Sequence, residues 1–249
     1  MEGEATDLLA LFGDDYLHFH RQFLTEGQSD RDADEVVALL GVEGGGRVLD
    51  AGCGTGRIAN RLAARGLAVI GVDLNRSFVE AAAADARRLG LPTGFVLADL
   101  RAVPLSGPFD GAVIWFNSFG YVDDAGNRSV LAELRRVLRP GGCLVIDTIH
   151  HDGFVRHFTA APEVSVMETD DGVLLDGLAF DPLQGRAVIA RTVVRGGVTR
   201  RSTHSLRLPT IPEWRHWLAA AGFSGALFTG DDGGAADVDS WRLIVRATA

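Results

Sequence analysis

Cysteine is nearly absent from this chain. There are two, Cys53 and Cys143, among 249 residues, and so low a count builds no disulfide framework. Long apolar runs are also missing. No stretch reaches the roughly 18 residues that a membrane helix requires. The opening Met1-Glu2-Gly3-Glu4 is acidic, without the basic and apolar regions of a secretory leader. These absences lead to the expectation of a soluble, cytoplasmic protein. Basic blocks are missing as well: the formal net charge is −9, and the pair Arg200-Arg201 reads as a solvated hairpin face. That balance argues against nucleic acid or an anionic membrane as partner. Neither an internal repeat nor a low-complexity tract is present.

What remains is an ordinary globular composition, 47% hydrophobic and 23% charged. A chain of this size buries about 70–75% of its unfolded surface without staples. Glycine is plentiful, and its placement is informative. The apolar run Val48-Leu49 ends in Asp50, followed by Ala51-Gly52-Cys53-Gly54-Thr55-Gly56-Arg57. A second run, Ala68-Val69-Ile70-Gly71-Val72, ends in Asp73. A strand, a glycine turn, a helix and an acid closing the next strand make a cradle for a nucleotide-type cofactor. The dinucleotide fingerprint would need a third glycine at position 57, where Arg57 stands. The pattern is D-x-G-x-G-x-G instead, in which small residues let a sugar and an amino-acid tail lie on the backbone.

This pattern resembles motif I of the class I S-adenosylmethionine-dependent methyltransferases. Further matches follow in family order: Asp73, Asp99-Leu100, the loop Phe116-Asn117-Ser118-Phe119-Gly120-Tyr121 and the stretch Leu138-Arg139-Pro140-Gly141-Gly142. The tail from Gly230 to Val245 is similar to the small-molecule subgroup, which includes amino-sugar N-methyltransferases and glycine/sarcosine-type enzymes. The resemblance implies S-adenosyl-L-methionine as cofactor, S-adenosyl-L-homocysteine as product and a small-molecule acceptor of natural-product or small-metabolite metabolism, methylated at N, O or C.

Strand and helix patterns alternate along the chain, predicting strands at 47–50, 68–72, 94–97, 111–115 and 143–147. Helices are expected over 7–24, from a Ser29-Asp30 cap through Leu40, through Ala64 to a stop at Gly66, over 77–89, and through Leu138 to a stop at Arg139-Pro140-Gly141-Gly142. Segments near 163–169, 172–180, 186–195 and 198–208 alternate like antiparallel strands. A helix at 211–221 and two strands close the chain. The expected fold is α/β: a Rossmann-like, seven-stranded, mostly parallel sheet with helices on both faces, plus an antiparallel β insertion after strand five. Residues 1–44 then form an N-terminal helical lid, 45–160 the cofactor-binding core and 161–209 the insertion, while 210–249 complete the core sheet. In the subgroup the insertion covers substrate or joins two subunits, so a homodimer through it is one expectation.

Candidate residues follow from these placements. Asp73, closing strand two, can accept both hydroxyls of a ribose, with Leu74 beside it. Asp99 and Leu100 suit an adenine, by its exocyclic amine and its ring. Asp50, Gly52 and Gly54 shape the loop for the methionine end. Arg57 suits a carboxylate, either that of methionine or one in a surface salt bridge. Phe116 and Ser118 follow strand four, where substrate meets cofactor in open α/β sheets, and Tyr121 lies on the same loop. After strand five, His150 and His151 are candidates for a general base near neutral pH, or for a helix-capping polar cluster. His150 also counts as a substrate contact. Tyr16 and His20, one turn apart, are candidates for a pocket wall, with Tyr16 a third catalytic candidate. No metal is expected: His150, His151 and His157 miss the H-E-x-x-H spacing, and Ile114-Trp115-Phe116 brings no acid. The loop at Asn117 lacks the prolines of base-methylating enzymes. Two other readings remain open, a nicotinamide-dependent oxidoreductase and a non-catalytic cofactor-binding regulator.

Overall fold

The computed structural model describes residues 8, 9, 11–159 and 164–249. The acidic start and the boundary between core and insertion at 160/161 lie outside the described residues.

The elements run α1 (Asp14–His20), α2 (Glu26–Leu40), β1 (Arg47–Ala51), α3 (Ala59–Ala64), β2 (Ala68–Asp73), α4 (Arg76–Leu89), β3 (Gly94–Leu97), β4 (Phe109–Ile114), α5 (Asp124–Val137) and β5 (Leu138–Ile149). Then come α6 (His151–Thr159), β6 (Val164–Thr169), β7 (Gly172–Asp181), β8 (Arg186–Arg195), β9 (Val198–Arg207), α7 (Ile211–Ala220), β10 (Ser224–Thr229) and β11 (Arg242–Thr248).

Seven strands form one sheet in the order β10-β11-β5-β4-β1-β2-β3. Strands β1 to β5 pair in parallel, whereas β11 runs antiparallel to both β5 and β10. The chain leaves β1 toward β2 on one side and reaches β4 on the other. The crevice between these connections, at the carboxyl ends of the strands, is where such sheets hold ligands. Strands β6 to β9 form a separate antiparallel sheet of four, after strand five as the alternating pattern predicts.

Sequence chemistry sets the helix ends. The Asn75 side chain accepts the Ser77 N–H at 3.0 Å and starts α4, and Gly90, at φ +66°, ends it. Asp123 caps α5. Thr210 and Glu213 form a reciprocal capping box on α7, which satisfies two otherwise orphaned backbone donors. The seven-stranded sheet is covered on both faces. On one, Leu131 and Leu134 of α5 and Trp214 of α7 join Leu144 and Ile146 of β5. On the other, Val36 and Leu40 of α2 and Leu62 of α3 pack on Val48 and Val113. Each such side chain contributes about 1.5–3 kcal/mol on burial.

Four boundaries differ from expectation. In place of one helix over 7–24, a break at Phe12-Gly13 separates helical residues 8, 9 and 11 from α1, whose N-cap Gly13 is extended. Helix α2 starts earlier than a Ser29-Asp30 cap allows: Thr25 accepts the Gln28 N–H, and Ser29 is buried within the helix. Helix α5 ends at Val137, and Leu138 is already extended, so Pro140-Gly141-Gly142 belong to β5. There they accompany a register shift against β4 rather than a loop. Finally, the helix that runs through Ala64 begins only at Ala59, since Gly54–Arg57 form turns.

The insertion is fastened to α1. Phe19 packs on Leu174 and Val193. His18 Nε2 lies 2.7 Å from Asp171. Asp15 accepts Arg200 Nε at 2.7 Å, so Arg200 is tied to α1 rather than simply solvated. On the face that bears Phe19's partners, Arg191 and Asp176 form a buried two-point ion pair at 2.7 and 2.8 Å.

Candidate active site

A cleft opens at the carboxyl ends of β1, β2 and β4, roofed by the N-terminal segment. Its floor is the glycine turn. Gly52, Gly54 and Gly56 all have positive φ. A Cβ on Gly52 would stand 2.7 Å from Ser118 Cβ, and one on Gly56 would stand 2.9 Å from Ala82 Cβ. The bare backbone at Gly52 therefore keeps open a strip of floor that a side chain would fill.

Two carboxylates flank this floor. Asp73 accepts the Gly54 N–H and the Asn75 N–H, both at 2.8 Å. Each carboxylate oxygen has two lone pairs, so acceptor capacity remains toward the cleft. Burial raises the Asp73 carboxyl above its ordinary value, against these backbone donors. Asp50 is 2% exposed and lines the same cleft. Its Oδ2 is buried without a partner, and desolvation pushes its carboxyl up to about 7. A buried acceptor with nothing to accept is costly unless a ligand donor completes it.

The opposite end is formed by Asp99, Leu100 and Arg101. Arg101 clamps Asp99, with Nη2 to Oδ2 at 2.7 Å and Nε to both oxygens. Burial raises the Asp99 carboxyl, but the clamp outweighs it and the group titrates below its ordinary value. Arg57 also lines the cleft. It is paired with Asp32 of α2, both side chains being mostly buried, so its partner in this structure is an internal carboxylate, neither a surface one nor a free position. Its guanidinium lies 5.4 Å from the Phe116 ring centroid, close enough for a cation–π contact.

The remaining wall is aromatic. Phe12 meets Tyr16 and Tyr121 edge-on, at 5.0 and 5.1 Å between ring centroids. Asn75 ties this wall to the core by donating to the Phe12 carbonyl at 2.8 Å. Desolvation pushes the Tyr16 phenol up to about 12, and burial raises Tyr121 still further. Ser118 Oγ sits near the Gly52 and Trp115 carbonyls, at 3.4 and 3.3 Å.

Comparison with known proteins gives matches to part of the chain and to its overall fold. Residues 48–142 match the family model described as a methyltransferase domain. The chain is similar to a malonyl-[acyl-carrier protein] O-methyltransferase of Enterobacter lignolyticus, 37% identical over 124 residues, covering 49% of this chain and 46% of that one. The putative methyltransferase YqeM of Bacillus subtilis is 29% identical over 196 residues, 75% of this chain and 76% of its own. The chain thus spans about half the length of the first of these curated relatives. Among solved structures, the CcbJ methyltransferase of Streptomyces caelestis superimposes with TM-score 0.76 at 23% identity, covering 89% of both chains. An S-adenosylmethionine-dependent methyltransferase of Clostridium acetobutylicum gives 0.77 at 15%, covering 94% of this chain and 98% of that one. At these identities the two structures speak for the fold alone.

The fold gathers Asp50, Gly52, Gly54, Arg57, Asp73, Leu74, Asp99, Leu100, Phe116, Ser118, Tyr16 and Tyr121 around one cleft. It does not bring the candidate histidines there. His150 is 2% exposed, with Nδ1 3.2 Å from the Ser240 carbonyl. His151 Nδ1 lies 2.7 Å from Asp152, and its ring meets Phe180 edge-on. Neither lines the cleft: the turn after β5 aims them at the 240 loop and the insertion. His20 is likewise outside the lining. It stacks on Tyr16 at 4.2 Å, and its Nδ1 lies 2.9 Å from the Tyr16 carbonyl, so it backs the wall rather than forming it. Sequence reasoning missed Phe12, Leu17 and Leu24 in the roof. The aromatic spacing of Phe12 and Tyr16, four apart, was the signal available. Among the described residues, no group of three His, Cys, Asp or Glu side chains is arranged to hold a metal.

Proposed function

We propose that this protein transfers a methyl group from S-adenosyl-L-methionine to a small-molecule acceptor. The observation that carries the proposal is the convergence on one cleft of a side-chain-free floor at Gly52, the Asp73 carboxylate and the unpartnered Asp50 oxygen. The residues fit the cofactor. Asp73 would hold a ribose diol, Leu100 an adenine face and Asp50 an ammonium, while the glycines make room for the tail. Arg101 already occupies Asp99, so Asp99 acts by fixing Arg101 at that end as well as by accepting an amine.

When bound, S-adenosyl-L-methionine supplies an electrophilic methyl on its sulfonium. The chain's own residues provide placement, which can lower a bimolecular barrier by about 7–11 kcal/mol. The phenols of Tyr16 and Tyr121 stay protonated at neutral pH, so they orient an acceptor by hydrogen bonding and do not remove its proton. The aromatic wall favours an acceptor with an apolar body. Solved structures of similar fold include an amino pentose methyltransferase involved in calicheamicin biosynthesis and a sugar N-methyltransferase. They support an acceptor from natural-product metabolism. Exposed Val164, Val166 and Val194 on β6 and β8 support a second copy seated on the insertion, which light scattering reads directly.

Thermal-shift titration tests the assignment. S-adenosylhomocysteine at 100 times its Kd stabilises by about 2.7 kcal/mol, and NAD leaves the transition unmoved. Stabilisation by NAD alone would favour the oxidoreductase reading instead.

A further inference from the structure

The loop after β4 takes an uncommon shape. Phe116 and Asn117 are consecutive non-glycine residues in the left-handed region, at φ 59° and 60°. Side chains with a Cβ resist that conformation, so something must hold it. Asp147 of β5 does so with two oxygens. Its side-chain Oδ2 accepts the Phe116 N–H at 2.8 Å, and its backbone carbonyl accepts the Asn117 N–H at 3.2 Å. Asp147 is 6% exposed, and its other carboxylate oxygen accepts Arg242 Nε at 2.7 Å. Arg242 is fixed in turn: Nη1 reaches both oxygens of Glu35 at 2.9 and 3.1 Å, and the guanidinium lies 4.7 Å from the Trp115 ring centroid. The chain Glu35–Arg242–Asp147 therefore runs from α2 through β11 to the loop that carries Phe116 and Ser118 into the cleft.

We propose that Asp147 is a positioning residue. It locks the Phe116-Asn117 turn and so sets where Phe116 and Ser118 stand over the glycine floor, with Arg242 and Glu35 as its support. The consequence for the methyl donor rests on the function proposed above; the hold on the loop does not. Loss of the hold frees the turn to relax out of the left-handed region, moving Phe116 from beside Arg57 and Ser118 from beside Gly52.

Amide hydrogen exchange on the intact, ligand-free protein tests the hold, followed on the peptide spanning 115–121. In Asp147→Ala that peptide exchanges about tenfold faster or more. Asp147→Asn keeps the shape of the side chain should the alanine variant fold poorly, and it shows a smaller rise. Glu35→Gln shifts exchange in the same direction. Adding Asn117→Gly to Asp147→Asn relieves the left-handed residue and restores part of the protection, a rescue that a general packing role would not give. Titration with S-adenosylhomocysteine then shows about tenfold weaker binding in Asp147→Asn, recovered in the double variant. Unchanged loop exchange in both Asp147 variants overturns the proposal, as does a rise spread equally over β5 and β11. Failure of the wild type to bind S-adenosylhomocysteine counts against the methyl-donor function, and the exchange result still decides the hold.

Discussion

The carboxylate of Asp73 accepts the backbone N–H of Gly54 across 2.8 Å. The acid that closes β2 is therefore tied to the glycine turn that follows β1. Removing the carboxylate deletes the brace on the turn and, under the proposed function, the contact to a ribose. Asp73→Ala is expected to weaken S-adenosylhomocysteine binding by ten- to a hundredfold in a calorimetric titration. Affinity within twofold of wild type would remove Asp73 from the site.

Under the proposed function, Asp50 is expected to make donor binding depend on pH. Its carboxyl sits at about 7 in the ligand-free protein because burial disfavours the charge. A cationic ammonium placed beside it favours the ionised form, so binding expels a proton. Affinity for S-adenosylhomocysteine should then rise as pH is raised from about 6 to 8 and level off above the pKa. Asp50→Asn should flatten that slope. The stability of the ligand-free protein moves the other way. A carboxyl raised on folding contributes stability at pH below about 4, and that contribution is lost as pH climbs through 7. Opposite slopes for affinity and ligand-free stability are the signature to look for in titrations and melts across this range.

Gly52 carries both a steric and a conformational constraint. Its φ is +78°, and an added Cβ would meet Ser118 at 2.7 Å. Gly52→Ala is expected to cost about 1–3 kcal/mol of stability and to weaken donor binding beyond that by closing the floor. Combining it with Ser118→Gly removes the clash but leaves the left-handed strain, so the double variant recovers part of the loss. Thermal melts with and without S-adenosylhomocysteine separate the two components.

The aromatic wall should respond differently. Tyr16→Phe removes a phenol that stays protonated through neutral pH. It is expected to raise the acceptor KM several-fold with little change in donor affinity, and to leave the pH profile of kcat between 6 and 9 unaltered. A lost ionisation in that profile would instead make Tyr16 an acid or base.

The fold was legible in the sequence where local chemistry and tertiary packing agree. The alternation of apolar runs with glycine-stopped helices placed every strand of the core sheet, and β3 runs over the very residues expected, Gly94–Leu97. Legibility failed where a long-range partner decides. Arg57 suited a methionine carboxylate or a surface salt bridge, but α2 folds back to bring the mostly buried Asp32 to it. His150 and His151 follow the carboxyl end of β5, which in general places residues near substrate. The 240 loop and Phe180 of the insertion claim them instead, and no pattern within one segment carries that information. Asp147 reads as one more polar residue ending a strand. Its role depends on Arg242, 95 residues away, and on the backbone conformation of Phe116 and Asn117, neither of which periodicity encodes.

The crystal structure of the S-adenosylhomocysteine complex tests the central claim most directly. The ribose is expected on Asp73, the amino-acid tail along Gly52 and Gly54 with its ammonium toward Asp50, and the sulfur facing the wall of Phe12, Tyr16 and Tyr121. A ligand lodged away from the glycine turn, or one seated there with Asp50 and Asp73 untouched, would contradict it.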